Sequence, residues 1–172
     1  AIICPVAELG KAKMKNLGVI LLAAGLGKRM KSTLPKVLHC LGGKPLLSYP
    51  LRTAKSLNPK KIAIVVGHGA DAVRQVCDDN EVAWIFQERQ LGTGHAVDCT
   101  KGIYQGFPGD LLILSGDVPL VSQTSLLDLL RHHRKQKATV TLLTASLEEP
   151  FGYGRILRNE KQGTSSVNLS AQ

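Results

Sequence analysis

Residues 17–36 read LGVILLAAGLGKRMKSTLPK, an apolar run that two glycines break and four basic residues follow. The first eight residues do not alternate with polar ones, which is typical of a strand buried on both faces of a parallel sheet. Gly25 and Gly27 would lie at the carboxyl end of that strand, where backbone N–H groups can approach a phosphate. The stretch therefore predicts an α/β fold with an anion site beside its first long strand.

Further apolar runs rich in Val, Ile and Leu recur along the chain, with helix-like segments between them. The predicted strands are 17–24, 61–66, 82–86, 110–115 and 138–145. The predicted helices are 46–57, 70–77, 92–105 and 122–136, and Pro50 should delay or kink the first of them. This alternation predicts a three-layer, Rossmann-like α/β domain with a mostly parallel sheet and right-handed crossovers.

The charge of the chain is strongly one-sided. The formal net charge is +9, and residues 9–70 contain twelve Lys and Arg but no Asp or Glu. Such a segment attracts nucleic acid, a membrane surface or a phosphorylated small molecule, unless it is only a solvated face. Aromatic residues are 4% of the chain, and Tyr49 is the only one in this segment, which disfavours single-strand nucleic-acid binding. Charge alone leaves these alternatives open; together with the motifs below, we expect a phosphorylated small molecule and no nucleic-acid or membrane partner.

The sequence carries no clear signal for a membrane or for secretion. No apolar run reaches the roughly 20 residues that a membrane helix needs. The four cysteines are widely spaced and form no C-x-x-C pair, and the first ten residues make a poor signal peptide. These features predict reduced thiols and a cytoplasmic location.

The loop after the first strand matches neither of two common phosphate-binding patterns. A Walker loop would need glycine where Leu22 stands, and a dinucleotide fingerprint would need glycine where Met30 stands. A glycine pair alone could be a simple turn. Arg29 and Lys36 strengthen the phosphate interpretation, since Arg offers a bidentate fork and Lys a compact charge, and Pro35 stiffens the chain before Lys36.

Two later loops also follow predicted strands. QERQLGTGHA (87–96) places two glycines beside Thr93, and LSGDVPL (114–120) ends a buried strand with Asp117. A carboxylate at this edge, opposite a phosphate loop, is a natural ligand for Mg²⁺. The alternative for Asp117 is a helix or turn cap.

Five segments together resemble one known family. They are LAAGLGKRMKSTLPKVLH (22–39), GHGADAVRQ (67–75), QERQLGTGHAV (87–97), LSGDVPL (114–120) and EEPFGYGRI (148–156). In order and spacing they are similar to the N-terminal domain of the bacterial N-acetylglucosamine-1-phosphate uridyltransferases. The resemblance implies the nucleotide-diphospho-sugar transferase fold, MobA-like, and transfer of UMP from UTP to N-acetylglucosamine-1-phosphate with Mg²⁺, in cell-envelope precursor synthesis. It also implies a homo-oligomer, since the full-length family forms trimers.

The resemblance carries site roles to individual positions. Arg29 and Lys36 would be catalytic and hold phosphates, Asp117 would bind Mg²⁺, and Gly154 would contact the amino sugar. Gln87, Gly92 and Thr93 would read uracil. The other implied substrate contacts are Leu22, Ala23, Ala24, Gly25, Ser115 and Gly116, of which Ser115 and Gly116 would lie with Asp117 at the ribose and metal.

The family pattern stops after residue 158. A sugar-contacting glutamate is expected there, but TSSVNLSAQ (164–172) stands in its place. We therefore predict a leader or foreign segment at 1–15, the N-terminal part of a nucleotidyltransferase domain at 16–158 and an atypical polar tail at 159–172, and we expect this stretch to be inactive alone. The alternatives are another sugar or cofactor nucleotidyltransferase and, with less support, a basic nucleic-acid-binding module.

Overall fold

The computed structural model describes residues 2–5, 16–25, 27, 30–149, 151–152 and 156. The strands are β1 (Ile2–Pro5), β2 (Leu17–Ala23), β3 (Cys40–Leu41), β4 (Lys44–Pro45), β5 (Lys61–Val66), β6 (Val82–Phe86), β7 (Asp110–Ser115) and β8 (Thr141–Leu142). The helices are α1 (Ser48–Ser56), α2 (Ala70–Val76), α3 (Thr93–Asp98), α4 (Lys101–Tyr104) and α5 (Gln123–Gln136), and a 3₁₀ turn covers Lys36–Leu38.

One six-stranded sheet organises the domain, in the order β6-β5-β2-β7-β1-β8. The four strands from β6 to β7 are parallel, while β1 is antiparallel to both β7 and β8. β3 and β4 form a separate two-stranded hairpin. The carboxyl ends of β2, β5, β6 and β7 therefore meet at one edge of the sheet.

Alternate residues of β2 enter two different cores, as expected for a strand covered on both faces. Val19 and Leu21 pack on the side of α1, α2 and α5, and Ile20 packs on the side of α3 and α4. All three side chains are fully buried. The predicted three-layer α/β architecture with a mostly parallel sheet is confirmed.

Tyr104 ties two strands together on the α3 and α4 side. Its hydroxyl donates to the carbonyls of Val19 (2.8 Å) and Lys61 (3.3 Å), and its ring meets Phe107 edge-on. Burial raises the pKa of Tyr104 to about 12, so the hydroxyl stays protonated and keeps donating.

Most predicted elements are present, with four differences. The predicted helix 92–105 is broken into α3 and α4 at Cys99 and Thr100, and the predicted strand 138–145 shrinks to β8 at the sheet edge. Pro50 lies in the first turn of α1, where its missing N–H has no intrahelical partner to lose, so the helix starts at Ser48. Within the predicted leader, Ile2–Pro5 pairs as β1.

In the part of the chain that the structure describes, no helix is both long and apolar enough to span a bilayer.

Candidate functional site

A cleft of about 310 Å³ opens at the carboxyl edge of the parallel strands. Its size falls at the lower end of the range usual for small-molecule pockets, about 300–1,000 Å³. The lining residues are Leu22, Ala24, Gly25, Lys36, Val37, Gln87, Gln90, Gly92, Thr93, Ala96, Ser115 and Asp117. The cleft thus brings together the loops that follow β2, β6 and β7, which were predicted separately from the sequence.

The end of β2 forms the floor of the cleft. Ala24 and Gly25 line it, and a Cβ added at Gly25 would meet nothing within 4 Å, so that backbone borders open space. Ala23, predicted as a substrate contact, is 5% exposed, packs in the core and does not line the cleft. Arg29, predicted to hold phosphate, and Gly154, predicted at the sugar, lie outside the described residues.

Lys36 is positioned by the turn that follows Pro35. Val37 and Leu38 are buried and anchor this turn, and Val37 accepts a backbone hydrogen bond from Leu47 (3.0 Å). Gly27 packs beside it with a left-handed φ of 58°, and a Cβ there would come within 3.1 Å of the Lys36 Cβ. Gly27 and Lys36 therefore fit closely against each other.

Lys36 and Asp117 form an ion pair across the cleft. Lys36 Nζ lies 2.6 Å from Asp117 Oδ2, and the side chains are 37% and 31% exposed. Asp117 follows the end of β7 and is not the cap of a helix; Ser122 caps α5 instead. The described residues contain no group of three or more His, Cys, Asp or Glu that could hold a metal, at the cleft or away from it, so Asp117 would contribute a single carboxylate.

β7 also delivers Ser115 and Gly116. The Gly116 N–H donates to the Leu22 carbonyl (2.8 Å), and a Cβ at Gly116 would come within 3.0 Å of that same oxygen. Gly116 is buried beneath the cleft and does not line it, whereas Ser115 is exposed within it. The glycine therefore allows two strand ends to approach each other, and this approach holds Asp117 beside Lys36.

Gln87 is the polar residue most deeply placed in the cleft, with 2% of its surface exposed. Its backbone N–H donates to Val66 (2.8 Å), and its Nε2 donates to the Gly92 carbonyl (3.2 Å) and contacts His95 Nδ1 (2.9 Å). Gly92 has a φ of 102°, a conformation that favours glycine, and the exposed Thr93 begins α3. The amide of Gln87 is therefore held by its own loop.

Sequence reasoning missed four neighbours of these residues. Val37, Gln90 and Ala96 line the cleft, and His95 contacts Gln87 from beneath it. The motif QLGTGHA contains His95, but only the turn at Gly92 shows that its ring reaches back to Gln87. Gln90 donates to the Gln87 carbonyl (3.3 Å), a local contact that no spacing rule predicts.

Comparison with known proteins identifies the family. The model of the MobA-like NTP transferase domain matches residues 19–163. The chain belongs to the MobA-like NTP transferase family. The match includes every described residue that lines the cleft, so the cleft lies within the family's domain.

Curated relatives within this family are close in sequence but longer. The chain is 49% identical over 148 residues to the bifunctional protein GlmU of Pelobacter propionicus, a match that covers 86% of this chain and 32% of that protein. It is 46% identical over 155 residues to GlmU of Corynebacterium glutamicum, covering 87% and 32%. The chain thus spans about a third of the length of these relatives.

Solved structures share the fold at low sequence identity. Rv0371c from Mycobacterium tuberculosis superposes with a TM-score of 0.60 at 18% identity, over 73% of this chain and 62% of that chain. A nucleotidyl transferase from Methanothermobacter thermautotroptrophicus has a TM-score of 0.56 at 20% identity, over 67% and 57%. Rv0371c has also been solved in complex with manganese, with a TM-score of 0.57 at 19% identity, over 72% and 60%. At these identities the likeness concerns the fold alone.

Proposed function

We propose that this chain binds UTP as part of an enzyme that transfers UMP to N-acetylglucosamine-1-phosphate, giving UDP-N-acetylglucosamine and pyrophosphate. The observation that carries the proposal is the single cleft in which Gly25, Lys36, Gln87 and Asp117 meet. A glycine-lined backbone and a lysine suit phosphates, and a buried amide suits a nucleobase edge. The sequence resemblance and the relatives at 45–49% identity named GlmU support the uridyl and amino-sugar assignments.

The proposed reaction needs no protein nucleophile. An oxygen of the sugar phosphate attacks the α-phosphorus of UTP, a new P–O bond forms, and the bond from the α-phosphorus to the β-phosphate bridging oxygen breaks as pyrophosphate leaves. Lys36 would neutralise phosphate oxygens near the transferring group. Catalysis would therefore rest on positioning and on stabilising negative charge.

A divalent cation fits the residues at the cleft. Asp117 offers a carboxylate in the cleft, and Mg²⁺ is commonly held by one or two carboxylates together with substrate phosphates. When bound, the ion would supply positive charge to the triphosphate. Asp117 would hold it and would release Lys36 toward the phosphates, since the two side chains are paired at 2.6 Å without nucleotide.

The wider setting follows from the same proposal. Residues 16–158 would be the nucleotidyltransferase part of the chain, residues 1–15 a leader or foreign segment, and 159–172 a separate polar tail. The enzyme would act in the cytoplasm on a cell-envelope precursor, as a homo-oligomer.

Nucleotide binding tests the proposal directly. Isothermal titration with UTP and ATP in excess Mg²⁺ should show tighter binding of UTP. Gln87→Leu, which removes the amide at nearly constant shape, should abolish the preference, a change of roughly tenfold if one polar contact to the base is lost. Gln75→Leu, on the exposed side of α2, is the matched control and should retain the preference. Equal affinities of the unmodified chain for UTP and ATP would refute the uracil assignment.

A further inference from the structure

The amide of Gln87 can point in only one direction. Its Nε2 lies 3.2 Å from the Gly92 carbonyl, and a carbonyl oxygen can only accept a hydrogen bond. The NH₂ group must therefore face Gly92, since the reversed amide would place two acceptor oxygens together. Gly92 is itself fixed because its carbonyl also accepts from Ala96 N–H (3.1 Å), the first backbone bond of α3.

The orientation of Gln87 in turn decides which ring nitrogen of His95 accepts a hydrogen bond. The same Nε2 lies 2.9 Å from His95 Nδ1, so Nδ1 must carry a lone pair and accept. The tautomer that fits this contact carries its ring proton on Nε2. Cys99 lies one turn further along the chain, but its Sγ is 4.0 Å from Nδ1, a longer and weaker contact than the one from Gln87. The two hydrogens of the Gln87 amide are thus both used, one by Gly92 and one by His95.

The Oε1 atom of Gln87 is left for a ligand. No hydrogen bond from a donor among the described residues reaches it, since both contacts of the amide, to Gly92 and to His95, are made by Nε2. Gln87 lines the cleft, so the site presents a hydrogen-bond acceptor to a base. Uracil carries a donor at N3, whereas cytosine carries a lone pair there.

We propose that His95 is a positioning residue that sets base specificity: by accepting from Gln87 Nε2, it keeps the Oε1 atom of Gln87 aimed at the base and so favours uracil over cytosine. His95 does not line the cleft and acts through Gln87 alone. Without the acceptor at position 95 only the Gly92 carbonyl opposes rotation of the amide, and a rotated amide would offer its NH₂ to N3 of cytosine. This inference rests on the proposed nucleotide site.

A matched pair of variants tests the role of the acceptor. His95→Asn places an oxygen at the branch position that Nδ1 occupies, while His95→Leu keeps a similar shape with no acceptor. Affinities for UTP and CTP in excess Mg²⁺ are measured by isothermal titration for the unmodified chain and both variants, with circular dichroism to verify folding. His132→Leu, an exposed histidine of α5, is the control for loss of an imidazole.

The expected result is that the ratio of UTP to CTP affinity falls roughly two- to tenfold in His95→Leu, the range for one lost hydrogen bond, and stays near the unmodified value in His95→Asn and His132→Leu. A ratio unchanged in folded His95→Leu, or equally reduced in His95→Asn, would overturn the role of His95 while leaving the UTP site intact. If His95→Leu does not fold, His95→Phe, which keeps a ring but has no acceptor, takes its place: the same fall in the ratio supports the role, and an unchanged ratio overturns it. No preference in the unmodified chain would instead overturn the proposed function.

Discussion

Replacing Asp117 by asparagine should have opposite effects on nucleotide binding with and without metal. In the structure the carboxylate holds Lys36 Nζ at 2.6 Å, so a triphosphate that arrives alone must first break this pair. Asp117→Asn removes both the competing partner and a negative charge that repels the triphosphate. It also removes the one carboxylate, among the described residues that line the cleft, that could hold Mg²⁺.

The exposure of the two side chains sets the size of the effect. At 37% and 31% exposure the pair resembles a surface ion pair, worth about 0.2–1 kcal/mol. Releasing it should tighten metal-free UTP binding by about 1.5- to 5-fold, since 1.4 kcal/mol corresponds to tenfold. Salt should reduce this gain because it screens exposed charges. In excess Mg²⁺ the same variant should bind UTP more weakly than the unmodified chain.

The assay is isothermal titration of UTP in EDTA and in MgCl₂ at one fixed ionic strength. Asp128→Asn is the matched control, since it removes the same charge from an exposed pair with Arg131 on α5. The reasoning is wrong if Asp117→Asn weakens metal-free binding, or if Mg²⁺ strengthens binding by the same factor as in the unmodified chain.

Three further results are expected. Arg134→Met should destabilise the fold by about 3–5 kcal/mol, because Asp110 is 1% exposed and its carboxylate, bonded to Arg134 at 2.6 Å, would stay buried without its partner. The melting temperature should fall by roughly 6–20 °C. Adding Asp110→Asn, which removes the buried charge, should restore much of the lost melting temperature. Burial holds the pKa of His133 below its usual 6.5, so below about pH 6.5 the unfolded chain binds more protons than the folded one, and stability should fall as the pH drops. His133→Asn should flatten this decline of the melting temperature with pH. An unchanged slope in the variant would contradict the role of His133. Lys36→Ala should weaken UTP binding roughly three- to tenfold even with Mg²⁺, and unchanged affinity in titration would remove Lys36 from the phosphate site.

The sheet was predictable because its strands are locally unambiguous. β5, β6 and β7 have the predicted bounds, and β2 ends one residue early, since each is a continuous apolar run between polar turns. β1 and β8 were not predictable in the same way. Residues 138–145 contain enough apolar and β-branched residues for a long strand, but Thr141 and Leu142 are the two that pair with another described strand, because pairing partners are a tertiary property.

The place of the candidate site was predictable from the sequence, but its side-chain contacts were not. The strand-end rule predicts that the loops after β2, β6 and β7 meet, and the cleft at that edge agrees with the rule. The rule says nothing about which atoms are already paired. That Lys36 contacts Asp117, and that Gln87 is fixed by Gly92 and His95, depends on side-chain geometry that no spacing encodes.

The one-sided charge of residues 9–70 is partly balanced by acidic residues that follow this segment in the chain. Lys36 reaches the cleft. Lys55 instead bonds to Asp79 at 2.6 Å and to Glu81 at 2.8 Å. The hydrogen bond to Asp79, and after it the one to Glu81, raises the pKa of Lys55. Asp79 and Glu81 follow residues 9–70 in the chain, so acids outside this segment balance part of its positive charge. An excess of basic residues therefore indicates a polyanionic ligand only where a Lys or Arg side chain lines a cleft. Among the described residues that line the cleft, Lys36 is the one lysine or arginine.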